Sequence, residues 1–156
     1  MVSFSTNRHN RRRMEALLHG GGLFRAILLT DDGSPSPSVD VNTMAEVTEV
    51  DPGNGYVSGG NAVVGNSTNF PVTQDQALNR AYYVIADQEF TPAAAGTLPA
   101  TGSGASYMAL CGPEQGSPSD IASLDVLDVF GLGGARYATY PNSISVRDAE
   151  SRINAT

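Results

Sequence analysis

Arginines at positions 8, 11, 12 and 13 form the densest cluster of charge in the chain. The guanidinium binds carboxylates and phosphates through paired N–H donors, so Arg8, Arg11, Arg12 and Arg13 are the candidate partner-binding residues. There is no Lys, and all nine basic side chains are Arg. The formal charge is −7, yet from Met14 onward five Arg face sixteen Asp and Glu, a balance of −11. A body that acidic repels nucleic acid, and the cluster has no interleaved aromatic residues to stack on bases. The expected partner is an acidic protein surface, a neighbouring copy among the candidates; a plain solvated tail is the alternative.

Other chemistry-bearing residues are sparse. Cys111 is the single cysteine and closes the apolar run Tyr107 to Cys111, where a buried inert thiol is expected rather than a nucleophile. His9 and His19 both precede the first apolar run, far in sequence from Cys111, and cannot complete a four-ligand zinc cluster with it. Asp31/Asp32 and Asp125/Asp128 are carboxylate pairs of the kind a glycosidase uses, but such pairs at strand ends are also ordinary solubility features, and no Trp is present to stack a sugar. Asp51 and Asn54 lack the alternating acidic ligands and final Glu of a calcium loop, so a turn is the better reading. Gly53, Gly55, Gly59, Gly60 and the Gly131–Gly134 stretch lack the Lys-Ser/Thr of a phosphate loop and are expected to supply positive φ in turns. No catalytic, cofactor-binding or metal-binding residue is expected.

These residues need a frame to hold them. Residues 1–13 have no hydrophobic period and predict an extended basic arm, followed by a β-rich domain over residues 14–156. Asn10 as cap, with Met14, Leu17 and Leu18 and the stop at Gly20-Gly21-Gly22, predicts a short helix from Asn10 to His19. Leu23 to Thr30 is a near-continuous apolar run and predicts a core strand buried on both faces. Met44, Val47 and Val50 behind Asn42 and Thr43 predict a short capped helix, with a strand as the alternative. Five further strand-length patches follow: Ala62 to Thr73, Asn79 to Thr91, Ala105 to Cys111, Ile121 to Phe130, where the alternation suggests a bulge, and Arg136 to Val146. The loops 92–104 and 112–120 are long enough to be binding surfaces. No apolar run is long enough to span a bilayer and none has signal-peptide form. The expected fold is mainly β, a single-domain β-barrel or β-sandwich with one short N-terminal helix and the extended arm.

Glu49-Val50, Gly55-Tyr56 and Gly59-Gly60, with Phe90-Thr91 ahead of a later strand, give a pattern that resembles small accessory virion proteins of tailed bacteriophages. The similarity runs from residue 14 to about residue 146 and leaves out the Arg-rich arm and the tail from Ser143 to Thr156. It implies a capsid decoration or cement protein that binds the major capsid protein on the outside of the shell, as a homo-oligomer (dimer or trimer), after synthesis in the host cytoplasm. Head fibres and other accessory parts share the pattern. A tail or fibre component that binds the host through loops 92–104 and 112–120 is the first alternative. A small hydrolase using Asp31 or Asp125 is the second.

Overall fold

The computed structural model describes residues 6–31, 41–114 and 120–154. One helix, α1 (Asn7–Leu18), precedes eleven strands: β1 (Leu23–Leu29), β2 (Asn61–Val64), β3 (Val72–Asp75), β4 (Arg80–Val84), β5 (Gln88–Phe90), β6 (Thr97–Leu98), β7 (Ala105–Cys111), β8 (Val126–Arg136), β9 (Ala138–Thr139), β10 (Ile144–Val146) and β11 (Glu150–Asn154). Among the described residues the fold is mainly β with one α-helix near the N-terminus, as the sequence predicts. Its contacts cluster into two compact units. The smaller comprises Met1–Gly22, Val64–Asp87 and Arg147–Thr156; the larger comprises Leu23–Val63 and Gln88–Val146. Among the described residues no helix is long and apolar enough to cross a membrane.

In the smaller unit, β4 runs between β3 and β11, antiparallel to both, and α1 packs on β3 and β4. Period-two burial along β4 turns Ala81 and Tyr83 inward. Tyr83 meets Phe70 edge-on at 6.2 Å. The helix buries Asn7, Asn10, Met14 and Leu18. Two of those four are polar, so the hydrophobic period is hidden over its first turn, and the helix begins at Asn7 rather than Asn10. Thr6 is the cap, its hydroxyl accepting from His9 N at 3.2 Å. The arginines expected on an extended arm therefore stand on a helix, a correction for residues 7–13; residues 1–5 lie outside the described residues. Asn7 Nδ2 donates to Asn79 Oδ1 at 3.0 Å, and His19 Nε2 lies 2.7 Å from the Phe70 carbonyl, which fixes both helix ends.

The larger unit is built on the antiparallel ladder β1–β7–β8, with β2 on the far side of β1. Every residue of β1 from Ala26 to Leu29 is buried, as expected for its continuous apolar run. Ile27, Leu29, Met44, Ala109, Cys111 and Leu124 form its hydrophobic cluster. The helix expected over Met44 to Val50 is reduced to one 3-10 turn, Met44–Glu46. Glu46 caps its start by accepting from the Thr43 and Asn42 N–H groups, which holds its carboxyl below the usual range, and beyond the turn Val50 N pairs with Leu28 O instead. The patch Ala105 to Cys111 is β7 in full, whereas Ala62 to Thr73, Asn79 to Thr91 and Arg136 to Val146 each divide into two strands around a turn. The expected bulge is present: Cys111 pairs with Val126 and Leu110 with Asp128, leaving Leu127 as the extra residue. The tail from Ser143 carries two strands, β10 against β5 and β11 against β4.

Candidate functional site

Arg8, Arg11, Arg12 and Arg13 are all exposed on α1. Arg8 and Arg12 are one turn apart and stack on the face away from Asn7, Asn10, Met14 and Leu18, with Arg11 and Arg13 to either side. Arg11 Nε bonds Glu15 Oε1 at 2.7 Å; Arg8, Arg12 and Arg13 have no hydrogen bond or ion pair among the described residues. No acidic side chain lies in the first turn, where the unpaired N–H groups already make the field positive. Even the Arg11–Glu15 pair has the less favourable order, with the base N-terminal to the acid. These arginines thus contribute little to the helix that carries them, and Arg8 works against it.

The fold keeps the two signs of charge apart, though less sharply than the sequence order does. The smaller unit holds seven Arg against five Asp and Glu, net +2, while the larger holds two Arg against eleven, net −9. Within the smaller unit Arg80 is drawn to Asp75 at 3.5 Å and Glu150 at 4.0 Å and lies 5.2 Å from the Tyr82 ring centroid, and Arg152 pairs with Glu150. The unit's excess positive charge is carried by α1, where four Arg face only Glu15.

The residues of the Glu-Val, Gly-Tyr, Gly-Gly pattern converge as a latch. Glu49 Oε1 accepts from Tyr56 Oη and from Gly59 N, each at 2.8 Å, and Oε2 from Ser58 Oγ at 2.8 Å. Tyr56 Oη in turn accepts from Leu28 N at 3.1 Å, inside the core ladder. Its ring lies 6.0 Å from that of Phe90. Burial, then the Glu49 charge, push the phenol far above its ordinary range. The segment that read as a turn is one: Gly53 and Tyr56 exchange both backbone hydrogen bonds, while Asn54 Nδ2 donates to Thr97 O at 3.0 Å.

Cys111 is fully buried. Burial first, and the Glu49 charge second, push its thiol up to about 12 from an ordinary 9.0. Above pH 9.0 the unfolded chain gives up this proton while the folded chain keeps it, so the stability present below 9.0 is lost as pH rises toward 12. Melting temperature should fall through that window, Cys111→Ala should flatten the fall, and Ellman's reagent should label the thiol only after denaturant is added. A melting curve indifferent to alkali would contradict the burial.

The carboxylate pairs are not brought into one arrangement. Asp31 accepts from Tyr107 Oη at 3.3 Å; its neighbour Asp32 lies outside the described residues. Asp125 is exposed and bridges backbone to backbone with Thr43, whereas Asp128 stands in β8 opposite Leu110. Arg25 of β1 pairs with Glu114 at the start of the loop 112–120, whose residues 115–119 lie outside the described residues. Among the described residues no three His, Cys, Asp or Glu side chains are placed to hold a metal ion. No protein-family model, curated protein or solved structure matches this chain.

Proposed function

We propose that this protein is a non-enzymatic structural part of a tailed-bacteriophage virion, a decoration or cement protein that docks helix α1 on an acidic surface of the major capsid protein and stabilises the shell. The observation that carries the docking is the set of arginines on α1: exposed, three of them without a partner among the described residues, and placed where they do little for the helix. Side chains that contribute little to their own fold and all present the same charge suit a complementary surface, where they steer encounter and fix register. The virion assignment rests on the sequence resemblance. The latch of Glu49, Tyr56 and Gly59 adds that the resembling residues serve the scaffold, which fits a protein whose work is done by its surface.

The test is co-sedimentation of the purified protein with isolated capsids at low and high salt, with thermal disruption of bare and loaded capsids. The expected result is binding that weakens with salt, as exposed charge pairs do, and a higher disruption temperature for loaded capsids. Failure to sediment with capsids at low salt would sink the proposal and favour the tail or fibre assignment.

A further inference from the structure

Strand β8 leaves its partner over a short stretch, and the gap is a built feature. Tyr107 of β7 pairs with Gly131 of β8, but Ala105, two residues back, pairs with Arg136, five residues on. The extra residues bulge outward through Gly133 and Gly134 at φ +74° and +118°, conformations that a side chain would strain. The Arg136 guanidinium ties the bulge together by donating Nε and Nη2 to the Leu132 carbonyl at 3.0 and 2.8 Å. Bulges of this kind re-aim side chains and open sites beside a ladder.

The result is a cleft of about 500 Å³ within the larger unit, inside the size range of small-ligand sites. Asp31, Ser103, Ser106, Tyr107 and Tyr137 line it, with the backbone of the bulge glycines completing the wall. The Tyr137 ring lies directly against Gly104. A Cβ at that glycine would stand 2.7 Å from Cε2 and 2.8 Å from Cζ, so only glycine lets the ring lie there. The rest of the ring faces outward, and Tyr137 is 65% exposed. On the other side the Asp31 carboxylate takes the Tyr107 hydroxyl at 3.3 Å and raises the phenol's pKa by its charge.

We propose that this cleft binds a neutral sugar, with one pyranose ring laid on Tyr137 and its hydroxyls shared between the Asp31 carboxylate and the Ser103 and Ser106 hydroxyls. A pyranose has an apolar C–H face and a polar rim, and the cleft offers one supported aromatic ring beside a row of hydroxyls and peptide groups. A cage for a quaternary ammonium group surrounds the charge with several aromatic faces, which this cleft does not offer. Here the carboxylate already carries a phenol donor and the cleft is open to solvent. The inference is independent of capsid docking, since it uses no residue of α1.

Isotope-labelled protein titrated with the methyl glycosides of glucose, galactose, mannose and N-acetylglucosamine, and separately with arginine and tetramethylammonium, tests it through the backbone amides of Ser106, Gly133 and Gly134. At least one glycoside should shift these amides saturably. Tyr137→Ala should weaken that binding about tenfold with the remaining spectrum unchanged, Asp31→Asn should weaken it less, and Tyr140→Ala, exposed but not part of the cleft wall, should leave it intact. Saturable shifts from the cations alone, or none from any glycoside, would overturn the assignment.

Discussion

Gly60→Ala is expected to unfold the larger unit or bring it close to unfolding, although it adds only one methyl group. Gly60 sits at φ +59°, which costs an L-residue about 1–2 kcal/mol by itself. The larger part is steric. A Cβ at Gly60 would stand 2.1 Å from the Ala26 carbonyl oxygen, 2.9 Å from its carbon and 3.0 Å from Ile27 Cα. All three are backbone atoms of β1, the strand buried from Ala26 onward and locked into register with β7. No rotamer relieves such a clash, so either β1 or the latch segment must move, and the latch is tied to β1 through Tyr56 and Leu28. A loss of more than about 4 kcal/mol is expected, exceptional for one substitution and comparable to the whole stability of a domain. Gly21→Ala is the control, because Gly21 has a similar φ of +77° but nothing within 4 Å of the added carbon. In thermal or urea unfolding the control should lose only the dihedral cost, a few degrees in melting temperature at about 2–4 °C per kcal/mol. Equal losses in the two variants would show that Gly60 is there for its φ alone.

That glycine also shows where the sequence was legible and where it was not. Gly59-Gly60 reads as turn chemistry in any order of residues, because positive φ is a local property. The carbonyl it rests on lies more than thirty positions back, and nothing local points to it. The strands β1 and β7 were readable end to end because a strand buried on both faces is a continuous apolar run. The start of α1 was hidden because Asn7 and Asn10, not apolar residues, occupy its buried face. β11 was read as tail because Glu150, Ser151 and Arg152 have no apolar alternation, and its strand form comes from pairing with β4. The Arg cluster was legible as a binding candidate, and the helix predicted from Asn10 carries Arg11, Arg12 and Arg13; that it starts at Asn7 and takes in Arg8, whose charge opposes the helix field, was not legible. The sugar cleft left no local signal either. Asp31 and Tyr137 line one cleft beside a bulge whose glycines read as an ordinary turn, and Tyr137 depends on Gly104 for its place.

Arg8→Glu should move stability and binding in opposite directions, which separates a functional arginine from a structural one. Arg8 is the second residue of α1, inside the turn where four N–H groups lack helical partners and the field is positive. Replacing its charge with a negative one changes an unfavourable interaction into a favourable one, worth about 0.3–1 kcal/mol at an exposed first turn. It also converts the like-charged Arg8 and Arg12, one turn apart, into an acid N-terminal to a base, the preferred order, adding about 0.2–0.5 kcal/mol. Arg8 has no hydrogen bond or ion pair among the described residues that the change would break. Melting temperature should therefore rise slightly or hold. Capsid binding should fall about tenfold or more, because attraction to an acidic surface becomes repulsion, and the remaining binding should depend less steeply on salt. Arg147→Glu, which removes a positive charge of the same unit but off the helix, should affect binding far less. If Arg8→Glu lowered melting temperature by several degrees, the arginine would have a structural role its exposed position does not show. If binding survived it, the acidic partner would lie elsewhere than on α1, and the proposal would have to seek its contact on another face of the protein.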